Sequence, residues 1–383
     1  MANQVLCGID NVQDCDSILA NKRIALITNP TGVNKDLQST VDVLNQRYDV
    51  TLLFSPEHGV RGDKQAGEHV ATYKDDKTGI QVYSLYGKTR TIPEELNDQY
   101  DVLVYDIQDI GSRYYTYIST LLNCMESCKK NQKSIVVLDR PNPIGGEIVE
   151  GNILETPLLS FVGCHEMPQR YGLTTGEFAM MANVERGIHC DLHVVKMKNY
   201  KRSMYYDETG LSYINPSPNI PNLDSQVLYN GTCLFEGTSL SEGRGTTKPF
   251  EIIGAPWIDG DQLADIMNEK GLPGLRFRST YFVPTFSKHK DQMCQGVQIH
   301  VLDKKQVKAV ELGVQLLFEA KKMTTDMDFF VSPPFESEDL FIDKLSGTKD
   351  IRLGSQRPEE LLKKWDQESE KFKQIKEKYH LYE

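Results

Sequence analysis

The sequence predicts an α/β protein, with a Rossmann-like parallel-sheet domain followed by a smaller C-terminal α+β domain. Three observations carry this. Short apolar runs such as RIALIT and SIVVL alternate with helical patterns, as strands do when helices cover both faces of a parallel sheet. The chain has 383 residues, long for a single core. Hydrophobic residues make up 39% and charged residues 25%, the balance of a globular protein rather than a disordered one.

The elements follow in order. Arg23–Asn29 is an apolar run stopped by Pro30, so a strand ending at a turn. Leu37, Val41 and Leu44 have helical spacing within Asp36–Tyr48. Val50–Phe54 is a second strand, ended by Ser55-Pro56, and Ile80–Tyr86 a third. Pro93 opens a short helix. Asp101–Ile107 and Ser134–Leu138 are strands around a helix at Tyr115–Lys130. Thr174 and Glu177 have the spacing of a capping box at the head of a helix running to Arg186. Leu192–Met197 is another strand. From Ile214 to Trp257 the chain is rich in Pro, Gly, Asn and Ser, which reads as a long functional loop or lid. Beyond it come a helix at Asp259–Lys270, strands at Leu275–Val283 and Gly296–Leu302, and helices at Gln306–Lys321 and Arg357–His380. The division expected is a catalytic domain over 1–245 and an auxiliary domain over 246–383.

Charge narrows the partners. Lys plus Arg is 43 and Asp plus Glu 54, a net charge of −11. No basic cluster offers a face for nucleic acid. No run approaches the ~18 apolar residues of a membrane span. Met1–Asp10 has neither a basic nor an apolar region of a signal peptide. The eight cysteines lack CxxC or zinc spacing and fit reduced, buried thiols. A cytoplasmic location is expected for the chain as given; the alternative is an exported protein whose leader has been removed. The sequence does not indicate an oligomeric state.

In open α/β sheets, ligands bind outside the carboxyl ends of the strands, and here those ends are polar. One runs into Glu57-His58-Gly59 with Arg61 beyond, another into Asp106, Gln108, Asp109, Arg113, Tyr114 and Tyr115, and a third into Asp139-Arg140-Pro141-Asn142. A partly desolvated carboxyl such as Glu57 can act as a general acid; the alternative is an ion pair, for instance with Arg61. Asp106 and Asp109 offer a second carboxylate, or a turn cap. Arg113 and Arg140 are good bidentate carboxylate binders, or structural salt bridges. Asn215 and Asn219 lie in a proline-fixed loop that can present amides to a sugar, or form a surface turn. Glu236, Glu242 and Arg244 belong to a glycine-rich pair of turns whose acids argue against a phosphate cradle. His189, Cys190 and His193 are close in sequence but make a poor metal set. There is no G-x-G-x-x-G after the first strand and no G-x-S-x-G elbow, so neither nucleotide binding nor a hydrolase serine is indicated. No metal or cofactor is expected.

These strings together resemble the exo-β-N-acetylmuramidases. The resemblance rests on TNPTGV (Thr28–Val33), FSPEHGVRG (Phe54–Gly62), AGE (Ala66–Glu68), DIQDIGSRYYTY (Asp106–Tyr117), DRPNPIGG (Asp139–Gly146), NPSPNIP (Asn215–Pro221) and FEGT, SEGRGT and PFE within Phe235–Glu251. It implies removal of N-acetylmuramic acid (MurNAc) from the non-reducing end of peptidoglycan fragments such as MurNAc-GlcNAc. It implies a Rossmann-like larger domain and a cleft against a smaller one. It also places the leading catalytic candidate on Glu57. Glycoside hydrolysis needs an acid for the leaving oxygen and usually a second carboxylate, unless the substrate's acetamide serves instead. For such a substrate, Arg113 or Arg140 would clamp the lactyl carboxylate, and Tyr114 or Tyr115 would stack on a sugar. His58, Arg61, Gln108, Asn142, Asn215, Asn219, Glu236, Glu242 and Arg244 complete the expected binding set. Two other classes remain open at this point: a non-catalytic binder of wall fragments, and a different hydrolase of a small anionic substrate.

Overall fold

The computed structural model describes residues 4–56, 59–62, 72–85, 90–325 and 328–383. Glu57, His58 and the AGE string lie outside the described residues.

After a 3-10 segment and the short helix α1 (Asp16–Leu19), the chain enters the sheet through β1 (Arg23–Thr28). Helix α2 (Thr40–Arg47) leads to β2 (Asp49–Ser55). It starts later than its apolar spacing predicts. The Asn34 carboxamide oxygen accepts from the backbone N–H of Asp36 and Gln38, at 3.0 and 2.8 Å. That local turn competes with helix, and it leaves Leu37 exposed at φ 62. Strands β3 (Tyr73–Lys74) and β4 (Gln81–Ser84) follow, then β5 (Val102–Asp106), helix α3 (Tyr117–Lys130), β6 (Ser134–Leu138), helix α4 (Thr175–Glu185) and β7 (Asp191–Val195). The seven strands lie in the order β3-β4-β2-β1-β5-β6-β7, parallel apart from the β3–β4 pair.

Alternation along the strands divides the core. Ala25, Ile27, Leu103, Tyr105, Ile135 and Val137 face a layer containing α3 and α4 residues such as Leu121 and Phe178. Ile24, Leu26, Val102, Val104 and Val136 face the other layer, with Ile9, Val12, Val41 and Leu44. Each fully buried aliphatic side chain stabilises by roughly 1.5–3 kcal/mol.

The second domain begins with α5 (Leu223–Thr232) and continues through β8 (Ile252–Ala255), α6 (Gly260–Glu269), β9 (Leu275–Phe282), β10 (Cys294–Val301) and α7 (Ala309–Lys322). Two short helices, α8 (Phe341–Ser346) and α9 (Asp350–Leu353), precede the long α10 (Pro358–Lys376). Its sheet has the order β8-β10-β9, with antiparallel pairs. Helix α5 and strand β8 fall inside the stretch that composition marks as loop. Asn222 caps α5 by accepting from Ser225 N–H at 2.8 Å. The helix keeps Gly231 because a Cβ there would lie 1.8 Å from the Ala309 carbonyl oxygen, and Gly313 of α7 meets Gly231 in return. Close helix crossing, not loop formation, accounts for that glycine.

Helix α10 joins the two domains. Leu361 and Trp365 pack in the second core, and Phe372 packs in the first. The C-terminal Tyr382 hydroxyl then donates to Asp139 at the end of β6, at 2.6 Å.

Candidate active site

The carboxyl ends of the parallel strands converge as fold chemistry requires. Thr28 Oγ1 at the end of β1 donates to the Asp106 carbonyl at 2.8 Å. Gln108 N–H donates to Thr31 Oγ1 at 2.9 Å, and Gln108 Nε2 to the Pro141 carbonyl at 2.7 Å. Three of the polar strings therefore share one edge. Five buried polar atoms there have no hydrogen-bond partner among the described residues: Asn29 Nδ2, Ser55 Oγ, Gln108 Oε1, Asp109 Oδ1 and Ser112 Oγ. Buried polar atoms are normally paired, and clusters of exceptions mark functional places.

Several residues expected to meet substrate are instead committed to the frame. Arg140 is buried and forks onto Asp106, Nε to Oδ1 at 2.5 Å and Nη2 to Oδ2 at 2.8 Å. Thr40 Oγ1 also donates to Asp106, and Arg140 Nη2 to the Val33 carbonyl. Burial opposes the Arg140 charge, but Asp106 more than offsets it and holds the guanidinium well above its ordinary value. The pair cross-links β5 to β6; it has neither a free carboxylate nor a free fork. Arg113 is fully buried and donates to the carbonyls of Asn152, Met167, Leu345 and Ser346 at 2.6–3.0 Å. Burial pulls its guanidinium down to about 10. A clamp on a lactyl carboxylate needs exposed donors, so Arg113 and Arg140 act as structural ties. Asn142 is likewise internal: Nδ2 donates to the Leu173 carbonyl at 2.9 Å, and Oδ1 accepts from Ile144 N–H at 3.2 Å. The Tyr114 hydroxyl, also buried, donates to the Asn230 carbonyl at 3.1 Å. Arg61 joins Asp75 and Asp42 at 2.5 and 3.1 Å.

Asp109 is buried with its carboxyl pushed up to about 6, by burial above all; the Tyr171 hydroxyl and Gly111 N–H donate to Oδ2 and oppose the rise. It sits among the unpartnered atoms but under the surface. Asn215 is exposed and Asn219 buried, in a loop held by the Tyr117 hydroxyl donating to the Pro216 carbonyl at 2.6 Å.

A different group links the strand-end segment to the second domain. Half-buried Tyr115 meets Tyr229 of α5 edge-on, ring centroids 5.8 Å apart, and Tyr229 meets Phe250 at 4.7 Å. Arg244 lies over Phe250 at 5.1 Å and donates to Glu236 at 2.6 Å. The aromatic contacts thus carry the strand-end segment across to the glycine-rich turns of the second domain. Tyr229, Phe250 and Lys288 belong to this group without having stood out in the sequence. Tyr229 had no motif context of its own, Phe250 stood in the PFE string without a role assigned to it, and Lys288 lies in a featureless loop. A cavity of about 610 Å³ lies elsewhere, between α10, the start of α7 and residues 147–151. None of the strand-end residues lines it, so its size does not make it the reaction site.

Comparison with known proteins decides the family. Models of the N- and C-terminal regions of the exo-β-N-acetylmuramidase NamZ match residues 24–224 and 227–382. The chain belongs to the NamZ family. A peptidoglycan β-N-acetylmuramidase NamZ from Bacillus subtilis strain 168 is 45% identical over 99% of this chain and 92% of its own length. A DUF1343 family protein of Bacteroides fragilis has a crystal structure similar to this one, with TM-score 0.89, 40% identity and 99% of both chains covered. A second from that organism gives 0.78 at 31% identity, covering 100% of this chain and 99% of its own. The Rossmann-like domain and the smaller domain thus correspond to the two NamZ regions, and the Tyr115–Tyr229 contact joins one to the other.

Proposed function

We infer that this protein is an exo-acting glycosidase that releases terminal MurNAc from the non-reducing end of peptidoglycan fragments such as MurNAc-GlcNAc. The observation that carries the reading is the match to both NamZ regions across nearly the whole chain, together with a relative named as a peptidoglycan β-N-acetylmuramidase. The convergence of polar strand ends, with unpartnered buried polar atoms among them, supports putting the chemistry at that edge. Glu57 ends the string that leaves β2 and is the proton donor in this reading. It protonates the glycosidic oxygen as the bond to the anomeric carbon breaks. Half-buried Tyr115 offers ring surface to the sugar, with Tyr229 packed edge-on behind it. The match of both regions to an exo-β-N-acetylmuramidase family supports exo-action. The eight unpaired cysteines, nearly all buried, support a reducing and so cytoplasmic location.

A chromogenic MurNAc glycoside tests this. Turnover by the wild type, reduced at least ~10²-fold in Glu57→Gln with folding unchanged, is the expected result. Binding without turnover would make the protein a wall-fragment binder instead.

A further inference from the structure

Hydrolysis of a glycoside builds positive charge at the anomeric carbon, which a second carboxylate usually stabilises where the substrate's acetamide does not serve instead. Asp106, Asp109 and Asp139, the carboxylates at or just beyond the strand ends, are enclosed by internal partners. Glu236 is different. Its side chain is 20% exposed. Arg244 Nη2 donates to its Oε1 at 2.6 Å, and Oε2 has no partner among the described residues. A network stands behind it. Arg244 Nε lies 3.3 Å from Glu242, and Lys288 Nζ lies 3.0 Å from the other oxygen of Glu242. Lys288 also donates to the carbonyls of Phe235 and Leu240, at 2.7 and 3.0 Å, on either side of Glu236. Burial alone would raise the Glu242 carboxyl, but Lys288 and Arg244 more than offset it and hold it low. Two acids and two bases thus balance, and Glu242 takes up the surplus positive charge behind Arg244.

The protein distorts its backbone to build this. Lys288 comes from the loop between β9 and β10, where Ser287, His289 and Asp291 all have left-handed φ of 68, 55 and 61°. Such conformations are unfavourable for residues with side chains and persist where the surroundings impose them. The loop is held down at Gly245, whose carbonyl accepts from Thr285 N–H at 2.9 Å. A Cβ at Gly245 would lie 2.6 Å from the Phe286 carbonyl oxygen. The SEGRGT string and the hairpin loop therefore serve one purpose: they fix Arg244 and Lys288 around Glu236.

We propose that Glu236 is the second catalytic carboxylate of the cleavage, and that Arg244, Glu242 and Lys288 are positioning residues for it. The proposal rests on the glycosidase reading above. As the bond from the anomeric carbon to the leaving oxygen breaks, its electron pair goes to that oxygen, which takes the donor's proton. Positive charge then builds on the ring, and the Glu236 carboxylate stabilises it without forming a bond. Water adds its oxygen to the anomeric carbon and returns a proton to the donor.

The test measures kcat and KM separately on a chromogenic MurNAc glycoside. Glu236→Gln is expected to lower kcat by ~10²-fold or more with KM within about threefold, as for removal of a preorganised charge. Glu236→Asp, which keeps the charge but withdraws it by a methylene, is expected to fall between. Lys288→Met is expected to lower kcat about tenfold, with Lys288→Arg recovering most of it, because a charge-assisted hydrogen bond orients the network. Thermal unfolding of each variant separates loss of fold from loss of chemistry. Folded Glu236→Gln or Glu236→Asp with wild-type kcat overturns the proposal, as does an effect confined to KM. An inactive wild type would instead overturn the glycosidase reading itself.

Discussion

Arg140 closes both arms of its guanidinium fork on Asp106, at 2.5 and 2.8 Å, with both side chains buried. The pair ties the ends of β5 and β6 together beneath the candidate site. Removing one partner leaves the other charged and buried, which costs roughly 3–5 kcal/mol. Arg140→Met and Asp106→Asn should each lower the unfolding free energy by that much, and the double variant should lose less than their sum. Near-wild-type stability in either single variant would show that the pair is not what holds this edge.

Arg113 gives a related expectation with a different readout. Its guanidinium joins carbonyls of the first domain to Leu345 and Ser346 of the second. Arg113→Met should destabilise by several kcal/mol, because buried carbonyls lose charged donors worth about 1.5–3 kcal/mol each. Discrimination between MurNAc and GlcNAc glycosides, compared as a ratio of kcat/KM at equal folded protein, should stay unchanged. A collapse of that ratio would restore the lactyl clamp to Arg113.

Asp109 links stability to pH. Burial raises its carboxyl from 3.8 to about 6. The folded protein therefore holds this proton more tightly than the unfolded chain does. The contribution is fully present below pH 3.8 and is lost as pH rises through about 6, up to about 3 kcal/mol in all. The unfolding free energy of Asp109→Asn minus that of the wild type should rise across that window. A flat difference would mean that the carboxyl is solvated.

The crossing of α5 and α7 is sensitive to one methyl group. Gly231→Ala should cost about 1–3 kcal/mol, since the new Cβ must displace the Ala309 backbone. Wild-type stability would show that the helices part without strain.

Cleavage should be indifferent to metal. Among the described residues, no three His, Cys, Asp or Glu side chains converge as ligands. On the lack of Cys and His residues at zinc spacing in the sequence, activity is predicted to survive EDTA and dialysis, and loss restored by one divalent cation would contradict this.

What the sequence shows and what it hides divide along physical lines. β6 occupies Ser134–Leu138 as its apolar run predicts, and Thr174 and Glu177 form the capping box their spacing indicates. These depend on local patterns. Arg113, Arg140 and Arg244 look alike in sequence, each in a polar string after a strand or turn. Only tertiary burial separates them: two are enclosed, while Arg244 keeps a side chain 26% exposed beside Glu236. The link between Lys288 and Glu242 spans 46 residues and leaves no periodic trace. Helix α5 was masked by Gly231, which belongs to a helix contact and not to a turn. Glu57 and His58, which the family resemblance singles out, lie outside the described residues, so their part in the site rests on sequence alone.

The most direct test of the account is a time course on a defined peptidoglycan oligosaccharide with MurNAc at its non-reducing end. Exo-cleavage predicts free MurNAc as the first product, in step with a chain shortened by one sugar, and no release by Glu57→Gln. Early internal fragments, or no MurNAc released by the wild type, would contradict it.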